Sequence, residues 1–298
     1  MKKKEKMIQS RDGQCKIDLT MWEPIATEPK GVIQIVHGMT EHMGRYEDFA
    51  EYFTNLGFVV VGNDLISHGK STYKGVDEKT LFVNSWNDLI ADVLNVGAMM
   101  QHDYPELPIF LIGFSLGSYI VRTLPDLDLY QRVVLIGTGY QPSVVLRLLQ
   151  KYLLKKNAEN MTDASDEIKS LAFDNYNKKF SGQPEDFWLL TDEKKREGYK
   201  SDPFVRTEFS PRFFCEFLRG MILANQNLKM PNNDVPTMLL YGEKDPVAGF
   251  GKGIDRVYQA YQKNNADTVI FCFPEKTHDI LHDVGFLDVF VRIAGFLR

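Results

Sequence analysis

The sequence predicts an α/β fold: a mostly parallel central sheet with helices on both faces and a helical cap insertion. Three observations carry this. Short apolar runs of strand length, Val32–Val36, Phe58–Val61, Ile109–Ile112 and Arg132–Ile136, alternate with amphipathic stretches, as parallel strands joined by crossover helices do. From about Tyr140 to Asn227 no strand-like run occurs, only amphipathic segments and polar loops. The strand pattern then resumes at Pro236–Tyr241 and Thr268–Phe273. The expected division is a core of residues 1–139 and 228–298 and a cap of residues 140–227, laid over the carboxyl ends of the strands, where such sheets place their sites.

Taken in order, Gln14 to Trp22 alternates apolar and polar residues and predicts an antiparallel edge hairpin, while the lysines of Met1–Lys6 read as a solvated, frayed start. Val32–Val36 runs directly into His37-Gly38-Met39-Thr40-Glu41-His42-Met43-Gly44-Arg45-Tyr46. A helix from about Tyr46 to Leu56 stops at Gly57, a residue suited to the turn after a helix. Phe58–Val61 opens into Gly62-Asn63-Asp64-Leu65-Ile66-Ser67-His68-Gly69-Lys70-Ser71, and Trp86 to Met100 has helical spacing. In the insertion, Ser143 is placed to cap a helix in which Val144, Val145, Leu148, Leu149, Tyr152 and Leu153 share one face. Phe213, Phe214, Phe217, Leu218, Met221 and Ile222 repeat that spacing. Helices from about Gly253 to Lys263 and from Val284 to Leu297 flank the last strand.

The chemistry centres on Gly113-Phe114-Ser115-Leu116-Gly117-Ser118, which follows the run Ile109–Ile112. A strand that turns at once into a helix strains the turning residue and lifts its side chain to the edge of the sheet, with room for nothing but glycine on either side. The strand before and the helix after separate this stretch from a chance Gly-x-Ser-x-Gly in a loop. A serine hydroxyl needs a base to take its proton and an anion to orient that base. In the fold that this motif marks, acid and base follow in that order. Asp245, after the strand ending at Tyr241, is the expected acid, with Glu243 as rival; His278, after the last strand, is the expected base. His282 is placed inside the first turn of the following helix. His37 and His68 are read as braces of their loops, His42 as lining the site, and His102 as a surface residue in a connection. Two backbone amides, those of Met39 and Leu116, are the candidate donors to the oxyanion formed in acyl transfer.

Together these stretches, with Asp64 through Ser71, Gly242 through Asp245 and His278, resemble the monoacylglycerol lipase and lysophospholipase branch of the α/β-hydrolases, also called serine aminopeptidase-like hydrolases. The resemblance spans nearly the whole chain and is weakest in the cap. It implies cleavage of carboxylic esters of glycerol or glycerophospholipid through an acyl-enzyme, with no metal and no organic cofactor. Family elbows often read Gly-His-Ser-Met-Gly-Gly; here Phe114, Leu116 and Ser118 take the variable places, and Phe114 joins the pocket candidates. A short-chain or aromatic esterase is the alternative within the class. A ligand-binding protein that keeps the fold without turnover is the alternative outside it.

The 298 residues, 44% hydrophobic and 25% charged, suit a globular domain with an insertion. A net charge of −5 argues against a nucleic-acid partner. No apolar run approaches the ~18 residues of a spanning helix, and the start lacks the apolar stretch of a secretory signal. Cys15, Cys215 and Cys272 are odd in number and widely spaced, which fits reduced thiols in a cytoplasm and no zinc site. The expected partner is a small ester with an acyl chain, with the cap available for transient membrane contact; nothing signals an oligomeric state.

Overall fold

In the computed structural model, which describes residues 1–228, 235–264 and 267–298, the chain opens with a hairpin. Strand β1 (Lys2–Gln9) pairs antiparallel with β2 (Cys15–Glu23), Lys2 opposite Glu23 and Gln9 opposite Lys16. The lysine-rich start is therefore solvated but not frayed. Its side chains are exposed from Lys2 to Met7 while its backbone is held by β2, which buries Ile17, Leu19 and Trp22. A charged edge strand of this kind resists pairing with another chain, and its charge masks the strand in the sequence.

The elements that follow are β3 (Gly31–Val36), a single 3-10 turn at Met43–Tyr46, α1 (Glu47–Asn55), β4 (Phe58–Asn63), β5 (Thr72–Tyr73), β6 (Thr80–Leu81), α2 (Trp86–Asp103), β7 (Ile109–Phe114), α3 (Leu116–Val121) and β8 (Arg132–Ile136). The insertion contributes α4 (Ser143–Lys156), α5 (Asp166–Lys179), α6 (Glu193–Ser201), β9 (Glu208–Phe209) and α7 (Pro211–Asn227). The core resumes with β10 (Thr237–Gly242), α8 (Lys252–Asn264), β11 (Thr268–Phe273) and α9 (Phe286–Phe296). The join between α7 and β10 falls partly on residues 229–234, outside the described residues.

The main sheet runs β1-β2-β4-β3-β7-β8-β10-β11, with β5 on β2, and every pairing from β4 to β11 is parallel. All residues of β3 and β7 are buried, which is why these strands are apolar on both faces; the exception, Gln34 of β3, is bonded to Val93 O and the Tyr130 hydroxyl. Successive residues serve opposite layers. Leu111, Leu135 and Leu239 pack with Val93 of α2, Ile120 of α3 and Ile254 of α8. Ile112, Val134 and Leu240 pack on the other face with Phe49 and Phe53 of α1 and Phe290 and Ile293 of α9.

The insertion departs from expectation in three places. It holds one short strand, β9, paired with β6 through Thr80–Glu208 and Leu81–Phe209; two residues are too few to leave a run in the sequence. Pro142, not Ser143, caps α4, and the Ser143 hydroxyl accepts instead from Asn225 Nδ2 at 3.3 Å. Finally, α4 turns much of its predicted apolar face outward. Val144, Val145, Leu148 and Tyr152 are 51–70% exposed, and only Leu146 and Leu153 are buried. Helix α4 is apolar around much of its circumference, so spacing alone does not choose the face that docks on α7. Among the described residues no helix is long and apolar enough to cross a membrane.

Candidate active site

Ser115 sits between β7 and α3 with φ 50° and ψ −114°, a conformation that costs on the order of 1–3 kcal/mol for a residue with a side chain. The surroundings hold it there. The Ser115 N–H donates to Ile136 O at 2.8 Å, and the Ser118 hydroxyl donates to Ser115 O at 2.6 Å. A Cβ on Gly117 would lie 1.9 Å from Val36 O, and one on Gly113 would lie 2.7 Å from Gly117 O. The helix thus packs directly on the strands beside it, and Ser118, where related elbows carry glycine, is buried without opening that contact.

The loops after β10 and β11 bring the other two residues to Ser115. His278 Nε2 lies 2.8 Å from Ser115 Oγ, and His278 Nδ1 lies 2.9 Å from Asp245 Oδ2. Asp245 is fully buried and its second oxygen accepts from Val247 N at 2.7 Å. An ionised carboxylate only accepts, so Nδ1 carries the ring proton and Nε2 is left to accept from the serine hydroxyl. Burial of His278 works against its charged form. The carboxylate of Asp245, with Asp279 and Glu41 behind it, outweighs that and raises the pKa above the ordinary histidine value. Glu243 is exposed and accepts from Glu275 N instead. His282 lies in the turn before α9, not in its first helical turn, and its Nδ1 is 2.8 Å from Asp279 Oδ1. His102 is exposed in the last turn of α2 rather than in a connection.

Met39 and Leu116, the expected oxyanion donors, lie in the loop after β3 and at the start of α3. Met39 lines the same cavity as Ser115, and Leu116 is the first residue of α3, so its amide has no partner inside the helix. The Met39 loop is fixed from below. His37, fully buried, donates from Nδ1 to Gly38 O at 2.7 Å and accepts from Leu65 N at Nε2 at 2.9 Å. Burial pushes its pKa down to about 3, so it stays neutral. Thr40 adopts φ 71° and bonds both Met39 O and the Tyr199 hydroxyl of α6.

Glu41, Arg45 and Tyr46 are tied together around one buried cation. Arg45 donates to Glu41 Oε2 at 2.5 Å and to Asp279 Oδ2 at 2.8 Å, and its guanidinium lies 4.9 Å from the Tyr199 ring. Glu41 Oε1 accepts from Gly38 N at 2.5 Å and from the Tyr46 hydroxyl at 2.8 Å. Glu41, Asp279 and His282 bring ligand atoms within 4.8 Å of one another, a grouping that suits a metal ion; the Arg45 guanidinium already takes an oxygen from each carboxylate. Burial opposes the charge on Asp279, yet His282 and Arg45 hold its pKa well below the usual carboxylate range. Asp64 ties the neighbouring loop, accepting from Met43 N and Lys70 N at 2.7 Å each. A Cβ on Gly69 would meet Asp64 Oδ2 at 2.1 Å, where the glycine has φ +53°.

A cavity of about 510 Å³ opens above the serine. Phe114 is among the residues that line it. His42 is not: its ring is turned to Gly44 N and to Asp202 Oδ2, 2.9 Å away. The insertion supplies Leu146, Leu149, Phe214, Phe217, Leu218 and Met221 as an apolar wall. It also supplies Tyr176 and Tyr199, which stand alone in polar sequence, and Trp188, which lies in the short apolar run Phe187–Leu190 that fits neither a strand nor a helix period; no motif singles out any of the three.

A parallel sheet with a strained serine between strand and helix, and with histidine and aspartate delivered by later strand ends, is the α/β-hydrolase fold. The chain belongs to the family described as serine aminopeptidase, S33, whose profile matches residues 27–285. Among similar proteins, the monoglyceride lipase of Mus musculus is 26% identical over 280 residues, covering 89% of this chain and 84% of the relative. The monoacylglycerol lipase of Mycolicibacterium smegmatis is 26% identical over 289 residues, covering 91% and 89%. Among solved structures, a thermostable carboxyl esterase from Bacillus coagulans in complex with glycerol superimposes with a TM-score of 0.88 at 24% identity, covering 100% of this chain and 98% of its own.

Proposed function

We propose that the protein is a serine carboxylic-ester hydrolase acting on monoacylglycerol- or lysophospholipid-like esters, with residues 140–227 as cap over a core of residues 1–139 and 228–298. The observation that carries this is the unbroken hydrogen-bonded line from Ser115 through His278 to Asp245 at the floor of an apolar cavity. Ser115 Oγ attacks the ester carbonyl as His278 Nε2 takes its proton, and Asp245 stabilises the imidazolium. The Met39 and Leu116 amides receive the oxyanion, a contribution of ~3 kcal/mol for each donor. His278 then returns the proton to the departing alcohol, and water, deprotonated by the same ring, releases the acid from the acyl-enzyme. The wall from α4 and α7 suits an acyl chain; Glu41, Arg45 and Tyr199, which line the same cavity, suit a hydroxylated head. The relatives named monoglyceride and monoacylglycerol lipase favour that substrate class.

The exposed apolar residues of α4, interleaved with Arg147, Lys151, Lys155 and Lys156, support transient contact with a membrane surface. All three cysteines are free, which fits a cytoplasmic setting. A fluorophosphonate should label Ser115, and Ser115→Ala should lose both labelling and hydrolysis across a series of glycerol, glycerophosphocholine and nitrophenol esters. Undiminished hydrolysis by Ser115→Ala would overturn the assignment.

A further inference from the structure

We infer that Trp188 is a positioning residue for this reaction: a cap side chain that holds the His278 imidazole in its working orientation. The inference rests on the proposed role of His278 as base. Two aromatic rings pack against that imidazole, Phe114 from the core at 5.1 Å and Trp188 from the cap at 5.7 Å between ring centres, tilted 32° and 34° from parallel. Trp188 is itself buried and backed by Tyr176 at 4.8 Å and Phe173 at 5.8 Å, both on α5.

The backbone beside Trp188 is bonded to the histidine loop. His278 N donates to Trp188 O at 3.0 Å and Asp279 N to Leu189 O at 2.9 Å. Thr191 N and Asp192 N donate to Asp283 at 2.9 and 3.2 Å. This part of the cap is thus a fixed support for the loop that carries the base.

The two hydrogen bonds of His278 constrain its nitrogens but not the pose of the ring once Ser115 has given up its proton. At that moment Nε2 must face the departing oxygen instead, and a ring without walls has other places to go. A neighbouring π-system also attracts the imidazolium. The charged groups facing His278 are the Asp245, Asp279 and Glu41 carboxylates, with the Arg45 guanidinium bonded to the last two. Trp188 adds no charge to that set, only the attraction of its π-face for the imidazolium.

The test compares Trp188→Leu and Trp188→Phe on 4-nitrophenyl acetate, which does not use the acyl wall, and in the rate of labelling by a small fluorophosphonate. Trp188→Leu should lose at least about tenfold in kcat and in labelling rate, a tenfold change being the rate equivalent of one pKa unit, with KM within about twofold. Trp188→Phe should stay within about threefold of the parent. A Trp188→Leu enzyme with undiminished kcat, or with a defect confined to KM for long-chain esters, would reduce Trp188 to a pocket wall and sink the inference. Should Trp188→Leu not fold, the intact protein grown with fluorinated tryptophan decides. A weaker π-face makes the imidazolium less favourable, so the acid limb of kcat/KM should move down by about 0.3–0.7 pH unit; an unmoved limb overturns the proposal. Labelling of the parent at Ser115 is measured first, so failure of the hydrolase reading and failure of the Trp188 role give different results.

Discussion

The loops at the strand ends and the helices laid over them are built on different rules. In the loops, buried charges are matched oxygen by oxygen: Arg45 bridges Glu41 and Asp279, and both oxygens of Asp64 accept backbone amides. Glycines there stand where a Cβ would meet backbone or carboxylate at about 2 Å. In the cap, α4 buries Leu146 and Leu153 and leaves a row of apolar side chains in solvent. The stretch from Trp188 to Arg206 is laced to the loops that carry the site, through His278, Thr40 and Asp283, while Ser210, Arg212 and Glu216 tie α7 to the segment from Leu81 to Trp86. Under the proposed function, chemistry falls to the rigid local contacts and substrate selection to the broad apolar surface. Mutations should accordingly divide into those that strike kcat and those that strike KM.

The largest effect expected below the cap is that of Asp245→Asn. It preserves shape but removes the acceptor that sets the His278 tautomer, and a ~10⁴-fold loss of kcat with little change in KM is expected. The same pair makes a pH prediction. Because Asp245 raises the His278 pKa, the base is fully available only above that raised value. The acid limb of kcat/KM in the parent should therefore have its midpoint above ~6.5, the value of a free histidine. Kinetic titration checks this, and a midpoint below 6 would contradict the coupling of His278 to Asp245.

Next in size is Arg45→Met, which removes the cation shared by two buried carboxylates and should cost about 3–5 kcal/mol in stability at neutral pH. The sign of its pH dependence follows from Asp279. In the parent its depressed pKa gives stability that is present above the unfolded value of ~3.9 and lost as pH falls through the folded value. Without Arg45, only His282 opposes the effect of burial on Asp279, so acidification toward pH 4 relieves the variant while the parent's contribution stays in place. The gap in melting temperature should be widest near pH 7 and narrow toward pH 4. A constant gap would mean that Arg45 acts through packing alone.

This division also explains what could be read without coordinates. The serine turn, Asp245 and His278 were legible because each follows a strand directly, and close packing dictates its neighbours within a few positions. The Glu41–Tyr46 stretch was legible as a pattern but not as a device, because Asp279, which completes it, lies 234 positions from Arg45. His42 was misplaced for a related reason: its partner Asp202 comes from the cap. Strand β1 was hidden by its own charge. In the cap the helices were visible, but the choice of inward face depends on α7 and on loops distant in sequence, and Trp188 and Tyr199 carry no local sign of where they point.

Smaller effects test the upper layer. Leu149→Ala removes part of the apolar wall, so KM for long-chain esters should rise about tenfold while kcat on an acetyl ester is retained. A fall in kcat on the short ester would break the division, since it would mean that α4 helps to hold the catalytic loops.

The smallest effect is the most diagnostic of how α4 is oriented. Leu148 and Leu153 read alike in the sequence, on one apolar face, yet Leu148 is 65% exposed and Leu153 fully buried. Leu153→Ala should cost about 2–5 kcal/mol through lost burial and the cavity left behind. Leu148→Ser should change stability by no more than about 0.5 kcal/mol, because its apolar surface is already in water. Thermal unfolding of the two variants side by side measures the difference. Equal destabilisation would mean that the face drawn outward here is packed in solution, against a second copy or within a rearranged cap. A near-neutral Leu148→Ser that also weakens sedimentation with anionic vesicles would place the exposed row at a lipid surface.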